Sequence, residues 1–542
     1  DPSSPSSLFW LQFWAQPRKR LPKVSAKARD HQARNRRQLR RPAGEFVVTF
    51  KPIMAKHFLF ASLLTSILSQ FTDETNIILQ DLNIVIVTDV HGWLASHKHN
   101  DSYPSLTASY GDVSSFATHL KELGQTTRRG DVFFVNNGDH VEGSGLSDAT
   151  MYTEAQTHGA ELFPIISKMP FDVLTIGNHE LYEDSTVSFM VSSGFINSWN
   201  GRYLTSNTRF NATNERIGEP YTILEGDVTR NSYLFFGFLY HMTDSCPSIT
   251  VTDPADEVEQ SWFSDALSDG LSKDVKAVVI MSHMDMVDKA VFSILEKIRS
   301  TNGYEHMPVQ FVTGHSHYRG FHKLDDRASS YEAGHYLDTI GLLTMDLPPE
   351  GDDTSQIWFE CSNIDANKDI LMQMLGMNEA DFDTELGINI SVAIDEVTEK
   401  LQLNEIVGCP TAHYICNAGM NDTYSLYYLY MNSILPSGVT PDDSTAVHIT
   451  NTGTLRYDVY DGKFFYNDVF AVAPFSNTFA YVDDLTAEEI ISLTVDLNSQ
   501  NEYSFFSPLP PFVTSDFDTD ENVYYKLFFN NYDQPKIVRV SE

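Results

Sequence analysis

Six short apolar runs along the chain each lead into polar residues, and this pattern predicts six strands of a buried sheet structure. Between the runs lie stretches with helical apolar spacing, such as residues 113–124 and 291–300. Strands that alternate with helices predict an α/β layered sandwich. The six runs are NIVIVTDVH (83–91), DVFFVNNGDH (131–140), FDVLTIGNHE (171–180), SYLFFGFLYH (232–241), KAVVIMSHMD (276–285) and PVQFVTGHSH (308–317).

Five of the six runs end in side chains that bind metal ions. Side chains at the carboxyl ends of several strands of one sheet converge in the crevice above it. Two divalent ions about 3.5–4 Å apart can clamp the attacking and leaving oxygens of a phosphoryl transfer. Mixed nitrogen and oxygen ligands suit Zn, Mn, Fe or Co better than a thiolate set would. The candidate ligands are Asp89, His91, Asp139, Asn178, His283, His315 and His317.

The spacing of these residues supports a shared site. Asp89 and His91 alternate around one residue, so in extended chain both face the same way, and His315 and His317 repeat this geometry. Asp139 is the natural carboxylate to bridge two ions. A lone DxH or HxH pair arises by chance, and a single histidine is more often structural than a ligand. The ordered set DxH, GDHVEG, GNHE, SHMD and GHSH is much more specific.

At these motifs, over about residues 80–345, the chain resembles the calcineurin-like metallophosphoesterases. Its length and second domain resemble the 5′-nucleotidase branch. The resemblance implies a layered α-β-β-α sandwich followed by a smaller α+β domain. It also implies that His179 meets the substrate phosphate or protonates the leaving group. The implied ligand sets are Asp89, His91, Asp139 and His317 for one ion, and Asp139, Asn178, His283 and His315 for the other.

The chain departs from the 5′-nucleotidase pattern at two positions. Tyr182, in GNHELYED, stands where typical members have the Asp that orients the catalytic histidine. A phenol is uncharged near neutral pH and would stabilise a protonated His179 less than a carboxylate would. Glu183 and Asp184 are the nearby alternatives. His317, in GHSH, stands where bacterial members often have Gln, although histidine ligates there in the wider family.

The C-terminal region carries a thinner resemblance to the substrate-binding part of 5′-nucleotidases. ITNTGTLR (449–456) resembles the NGGGIR string, which implies roles for Asn451 and Arg456, the arginine binding phosphate. VAPFSNTFAYV (472–482) is similar to the PFGN segment, in which Phe475 would stack on a base. FFNNYDQP (528–535) resembles the stretch that gives a second stacking aromatic, Tyr532. Core packing is the alternative for both aromatic residues.

The length predicts two domains. We expect a metallophosphoesterase domain at about 77–360 and a 5′-nucleotidase-like domain at about 378–542. The polar loop 351–355 and the more helical region 365–377 mark the boundary, which would serve as the hinge of a domain rotation.

The first 70 residues read as two segments outside the folded body. Residues 1–53 hold twelve Lys or Arg and only three Asp or Glu, which predicts an upstream, non-native basic segment. A basic nucleic-acid-binding or targeting arm is the alternative. Residues 54–70 have a short cationic start and an apolar core at 58–68, as a secretory signal peptide does. The apolar run is too short to span a membrane, so no stable membrane insertion is expected.

From residue 54 onward the chain is strongly acidic, with 25 basic against 70 acidic residues. Such a surface repels nucleic acid and anionic membranes, so the predicted partner is a small phosphate ester, most simply a nucleotide. Asn-x-Ser/Thr sequons at Asn100, Asn211, Asn389 and Asn421 agree with a glycoprotein of the secretory route, secreted, in the cell wall or in the vacuole. Cys409 and Cys416 are predicted to form a local disulfide, with a zinc site including His413 as the alternative.

The leading interpretation is therefore a two-metal hydrolase of phosphate esters, of the 5′-nucleotidase type and the fungal secretory or vacuolar kind. A phosphodiesterase or nucleotide-sugar pyrophosphatase on the same scaffold is the alternative among enzymes. A metal-retaining but weakly active luminal binding protein is the alternative from another class, because the orienting carboxylate is missing at Tyr182.

Overall fold

The structure, a computed structural model, describes most of the chain from residue 77 onward: 77–98, 106–349, 351–352, 355–475, 477–500, 509–519, 523–533 and 536–537. The predicted basic segment, the predicted signal peptide and the sequon at Asn100 lie outside these residues. Within them, no helix combines the length and apolar character that crossing a bilayer requires.

The strands occur in the order that the apolar runs predict, with additional strands between and after them. Those of the first part are β1 (Leu82–Val87), β2 (Asp131–Asn136), β3 (Val173–Thr175), β4 (Tyr203–Leu204), β5 (Thr208–Phe210), β6 (Tyr221–Glu225), β7 (Ser232–Leu239), β8 (Ile249–Val251), β9 (Val275–His283), β10 (Val309–Thr313), β11 (Arg319–Asp325), β12 (Ala328–Ala333), β13 (Thr339–Met345) and β14 (Phe359–Asp365). Those of the second part are β15 (Ile406–Gly408), β16 (Ala446–Asn451), β17 (Phe464–Phe465), β18 (Phe479–Leu485), β19 (Phe512–Thr514) and β20 (Tyr525–Asn530).

The helices follow the same alternation. They are α1 (Tyr110–Thr127), α2 (Gly145–Asp148), α3 (Leu162–Ile166), α4 (Asp184–Ser192), α5 (Phe195–Ser198), α6 (Pro254–Glu257), α7 (Ser261–Ser272), α8 (Lys289–Ser300), α9 (Lys368–Leu375), α10 (Glu379–Phe382), α11 (Glu385–Lys400), α12 (Leu426–Leu429), α13 (Leu435–Gly438), α14 (Tyr466–Val472) and α15 (Ala487–Gln500). A π-helical segment (Tyr430–Ile434) joins α12 to α13, and 3-10 turns occupy Ala149–Tyr152, His179–Leu181 and Asn531–Asp533.

Two six-stranded sheets pack face to face, with helices on both outer sides. One has the order β14-β13-β1-β2-β3-β4 and the other β11-β12-β10-β9-β7-β6. Alternate residues of β1 explain the layers, since Ile84 and Ile86 enter the core between the sheets while Val85 packs toward α1. The second sheet buries its outer face against α7 and α8. The predicted α-β-β-α sandwich is thus confirmed.

Helices α9 and α11 pack on the outer side of the first sheet beside α1. Ile390 and Ile394 of α11 share an apolar core with Phe116 of α1. The two helices cross so closely that a Cβ at Gly111 would meet the backbone oxygen of Gly387, and a Cβ at Gly387 would meet that of Gly111. Strand β14 pairs along its full length with β13, which extends the first sheet five residues beyond the predicted end at 360.

The C-terminal part is smaller and has an α+β fold, as predicted. Its four-stranded sheet has the order β18-β20-β16-β19. One core lies between this sheet and α15, where Val447 and Leu527 pack against Ile490. A second core gathers around α12 and the π-helical segment, where Tyr427 and Met431 are buried. Strand β16 is central in the sheet and ends at Asn451, at the start of the predicted substrate loop.

Candidate metal centre

The predicted ligands meet at one end of the sandwich, but they come from both sheets, so the expectation that one sheet would carry them all is wrong. Asp89, Asp139 and Asn178 follow β1, β2 and β3 of the first sheet. His283 ends β9 of the second sheet, and the GHSH segment follows β10. Asp89 connects the two sheets, because its Oδ1 accepts a hydrogen bond from the backbone N–H of His315 at 2.9 Å.

The ligand atoms form groups small enough to hold metal ions. Within each of three groups, one ligand atom per residue lies within 4.8 Å of the others. Two of the groups correspond to the two implied ion sites, and the third adds His179. The groups are Asp89, His91 and His317; Asp139, His283 and His315; and His91, Asp139 and His179.

Hydrogen bonds at one end of several side chains orient the other end toward the proposed metal ions. The Nδ1 of His91 lies 2.8 Å from the carbonyl of Glu142, and the Nδ1 of His283 lies 2.7 Å from that of Asn137. A carbonyl only accepts, so each ring donates through Nδ1, and the neutral ring presents the lone pair of Nε2. The Nε2 of His283 lies 3.1 Å from Oδ2 of Asp139, and the Oδ1 of Asn178 is buried without a hydrogen bond. An unbonded buried atom is costly unless another partner satisfies it, which fits a pair of divalent cations.

The backbone at the site takes a conformation that few residue types accept. Five of the seven candidate ligands have positive φ, between 49° and 75°. Left-handed backbone costs a side-chain-bearing residue about 1 kcal/mol, and such residues cluster at functional sites. The prediction that Asp89 and His91 face the same way in extended chain is therefore wrong, because the two residues lie in a turn with positive φ. The five are Asp89, His91, Asp139, His315 and His317.

The electrostatics of the centre are those of a site with an excess of buried negative charge. Burial alone would lower the pKa of His283, but the carboxylates of Asp139 and Asp89 raise it to about 10. Burial would raise the pKa of Asp139, yet the charges of His283 and His179 hold it well below its usual range. Two carboxylates at this depth require positive charge close by, which divalent ions supply.

Two buried glutamates, which the sequence analysis did not single out, hold the ligand loops in place. Glu180 accepts from the backbone N–H groups of Gly177 and His140, at 2.8 and 2.5 Å, and so ties the loops after β2 and β3 together. Burial raises its pKa to about 7. Glu332 accepts from the hydroxyl of Ser316 at 2.6 Å, which fixes the GHSH loop. The sequence indicates this role for Glu180 only through its position in the GNHE motif.

His179 finds its carboxylate partner in a different loop from the one expected. Its Nδ1 lies 2.5 Å from Oε2 of Glu142, which follows β2 in GDHVEG. Neither Glu183 nor Asp184 bonds to His179 in the described contacts; Asp184 accepts instead from the backbone of Ser248. The hydroxyl of Tyr182 accepts from the Nδ2 of Asn178 at 3.0 Å, which directs the amide oxygen away from the tyrosine.

Arg456 and Phe475, the C-terminal residues predicted to contact substrate, lie beside the metal-centre histidines. Arg456 donates from Nε to the hydroxyl of Tyr336 at 2.9 Å, and its guanidinium carbon lies 5.7 Å from the ring centre of Phe475. The ring of Phe475 stacks near His179, with centres 6.4 Å apart. Burial lowers the pKa of His91 well below its usual range, and the charges of His179 and Arg456 add to this effect.

The two other predicted C-terminal residues have different outcomes. The Nδ2 of Asn451 donates to Asp533 at 2.9 Å, and its Oδ1 accepts from the backbone of Gly453 at 2.8 Å. Its polar atoms are thus used inside the loop that leads to Arg456, and its contact with substrate stays a prediction. The side chain of Tyr532 lies outside the described residues.

The predicted disulfide is wrong, since all four cysteines are free. Cys409 is exposed, whereas Cys416 is buried and donates from Sγ to the carbonyl of Leu455 at 3.3 Å. His413 does not complete a zinc site with them, because its Nε2 pairs with Asp458 at 2.9 Å. The segment is held by hydrogen bonds and packing.

Two family models match the chain: calcineurin-like phosphoesterase at residues 82–319 and NAD nucleotidase, C-terminal domain, at residues 412–537. The uncharacterized protein YHR202W of Saccharomyces cerevisiae is 28% identical over 431 residues, covering 76% of this chain and 70% of the relative. A protein of Arthroderma benhamiae named "Secreted protein" is 26% identical over 478 residues, covering 79% of this chain and 70% of its own.

Solved structures share the fold over nearly the same span. The 5′-nucleotidase of Candida albicans has a TM-score of 0.76 at 24% identity, covering 86% of this chain and 94% of its own. The 5′-nucleotidase precursor of Thermus thermophilus has a TM-score of 0.61 at 15% identity, covering 85% and 92%. With its ligand groups in place, the chain carries a calcineurin-like phosphoesterase domain followed by a C-terminal domain of the NAD nucleotidase type, and it is a metal-dependent phosphoester hydrolase.

Proposed function

We propose that the protein is a 5′-nucleotidase-type phosphomonoesterase that hydrolyses nucleotides. The observation that carries the proposal is the position of Arg456 and Phe475, which come from the C-terminal part and lie beside His179 and Tyr336. A guanidinium suits a phosphate, and an aromatic ring suits a base. Arg456 and the metal centre would contact the phosphate of a nucleotide, and Phe475 would contact its base.

The proposed roles of the metal-centre residues follow from their positions. Asp139 is shared between the two ligand sets, which are those implied by the resemblance. Two divalent ions (Zn, Mn, Fe or Co), when bound, acidify a water molecule and stabilise the charge that develops on the phosphoryl oxygens. His179 presents Nε2 toward the reacting group, because Glu142 occupies its Nδ1. It is placed to give a proton to the departing oxygen.

The test is a substrate panel with the Mn- or Zn-loaded protein, measured with Phe475→Ala and the wild type. Loss of a stacking partner costs about 1–3 kcal/mol per base, so KM for a nucleoside monophosphate should rise about 5- to 150-fold. Glycerol phosphate, which has no ring, should be unaffected. Tyr481→Ala, at an exposed aromatic on β18, is the matched control. Equal kinetics of Phe475→Ala and wild type on every nucleotide would contradict nucleotide recognition.

Cleavage of a nucleotide-sugar or dinucleotide pyrophosphate is the second candidate. The match of residues 412–537 to the C-terminal domain of NAD nucleotidase favours it. A diester or pyrophosphate hydrolysed faster than any monophosphate in the same panel would select this candidate. Metal binding without turnover of any ester would instead select the luminal binding protein.

The proposed organisation has a metallophosphoesterase domain followed by a substrate-binding domain, with a boundary that differs from the predicted ranges 77–360 and 378–542. Because α9 and α11 pack on the first sheet, the proposed boundary lies after Lys400, nearer the start of the C-terminal family match at 412. A secretory destination, outside the cell, in the wall or in the vacuole, is supported by the name of the Arthroderma relative and the exposed sequon at Asn421.

A further inference from the structure

A buried tyrosine in the loop after β12 contacts the arginine that we assign to the substrate phosphate. Tyr336 lies three residues beyond the end of β12 at Ala333 and is 3% exposed. Its hydroxyl accepts a hydrogen bond from the Nε–H of Arg456 at 2.9 Å. Within the described residues, this is the one hydrogen bond of the guanidinium. The orientation of Arg456 therefore depends on a residue of the metallophosphoesterase domain.

Backbone and packing fix the position of Tyr336. Its N–H donates to the carbonyl of Asp89 at 2.9 Å, and it shares a left-handed turn with Leu337, with φ values of 52° and 56°. A backbone of this kind persists where the surrounding structure holds it in place. The ring packs beside that of Trp93, with centres 5.5 Å apart, and both belong to a small buried apolar cluster with Ala471. Contacts of the ring and the backbone, which do not involve the hydroxyl, thus hold the residue in place.

The hydrogen bond limits the ways in which Arg456 can bind a phosphate. A guanidinium presents five N–H groups in a planar fork, and it can bind two phosphate oxygens side-on, through Nε and one Nη, or end-on, through both Nη atoms. The hydroxyl of Tyr336 takes the Nε–H, which excludes the side-on arrangement. The two Nη atoms donate to no group in the described part of the chain, so the end-on arrangement remains available.

We propose that Tyr336 is the positioning residue for Arg456 and that it selects end-on binding of the substrate phosphate. The bond to the hydroxyl holds the guanidinium in one orientation before the substrate arrives, so binding costs less side-chain entropy. Phe475, whose ring centre lies 5.7 Å from the guanidinium carbon, supports the same orientation from the C-terminal part. Tyr336 makes and breaks no covalent bond, so it acts on binding and not on the chemical step. This inference rests on the proposed function, in which Arg456 binds phosphate.

Tyr336→Phe tests this role, because it removes the hydroxyl and keeps the ring and the backbone N–H. In the Mn-loaded protein, KM for a nucleoside monophosphate should rise about 3- to 10-fold, the contribution of one hydrogen bond, with little change in kcat. The dissociation constant of inorganic phosphate, measured by titration calorimetry, should rise by the same factor. Metal content should match that of the wild type, since the bond to the carbonyl of Asp89 remains.

Two comparisons separate positioning from a general loss of stability. Tyr304→Phe removes another buried hydroxyl, which donates to the carbonyl of Leu267 at 2.7 Å in the outer core of the second sheet, and it should leave KM at the wild-type value. Arg456→Ala removes the group that Tyr336 positions, so adding Tyr336→Phe to it should raise KM little further. Full additivity of the two changes would contradict the inference.

The outcomes distinguish this role from the proposed function. If Arg456→Ala has wild-type kinetics on every nucleotide, the proposed binding of phosphate by Arg456 is wrong, and the role of Tyr336 with it. If Arg456→Ala is impaired while Tyr336→Phe binds phosphate and nucleotide as the wild type does, the role of Tyr336 alone is wrong. A loss of metal from Tyr336→Phe, or a fall in kcat at unchanged KM, would also overturn the positioning role.

Discussion

The loops of the metal centre and the loops that carry Arg456 and Phe475 are held in different ways. The metal ligands follow buried strands within a few residues, and buried carboxylates such as Glu180 fasten their loops through several backbone N–H groups. Arg456 comes five residues after β16 and is held by one side-chain bond to Tyr336 and a backbone bond to Val472. The candidate metal ligands thus stand on a rigid support, while the proposed recognition of the substrate would rest on loops that are less firmly held.

The largest effect is expected from a change in the metal-centre loops. Asp139→Asn should lower kcat more than about 10³-fold and reduce metal content, because the shared carboxylate supplies charge to both proposed ions and an amide cannot. Elemental analysis and phosphate release measure the two outcomes. Retained activity with two ions bound would show that Asp139 does not bridge them.

The next largest effect is expected from a change in the loop that carries Arg456. Arg456→Ala should lower kcat/KM for nucleoside monophosphates about 30- to 1,000-fold, the equivalent of about 2–4 kcal/mol, with metal content unchanged. Arg230→Ala, at an exposed arginine paired with Glu225, is the matched control. Loss of metal from Arg456→Ala would remove the distinction between the two sets of loops.

A smaller effect is expected at Tyr182, which the sequence marked as a departure. Tyr182→Phe removes the hydroxyl that accepts from Asn178. Partners behind a ligand contribute about 10- to 100-fold to metal affinity, so one of the two ions should bind correspondingly more weakly. Tyr424→Phe, at an exposed tyrosine, provides the comparison in a metal titration.

A second change at this position concerns catalysis. Tyr182→Asp should lower kcat, because His179 already has a carboxylate partner in Glu142. A rise in kcat would contradict this interpretation.

The smallest expected effect is on stability and depends on pH. Burial would lower the pKa of His158, but Asp148, Glu142 and Glu183 raise it from 6.5 to about 9. A raised histidine pKa stabilises the fold fully below pH 6.5, and this contribution is lost as pH rises through about 9. His158→Gln should therefore cost about 1–3 kcal/mol at pH 6 and less at pH 10. Thermal unfolding measures it, with His322→Gln as the surface control. A cost that does not change with pH would contradict the charged state of His158.

The sequence predicted the layered sandwich and the residues that cluster at one end of it, because both depend on short-range patterns. Apolar runs place strands, and polar residues that follow them are carried to the same end. The pattern did not predict the partner of His179, because the chain reverses at Glu142, where φ is positive and the alternation of side chains no longer applies. Nor did it exclude the Cys409–Cys416 disulfide, since the spacing is permissive and the hydrogen bond of Cys416 comes from a distant loop.

The left-handed backbone of the ligands has a consequence for how the site can change over evolutionary time. Aspartate, asparagine and histidine are the side-chain-bearing residues that accept this conformation most readily, and they are also oxygen and nitrogen ligands. At Asp89, His91, Asp139, His315 and His317, a change to cysteine would place a residue that tolerates positive φ less well in this backbone conformation. The backbone thus disfavours the evolution of a thiolate site, while exchange among Asp, Asn and His is tolerated.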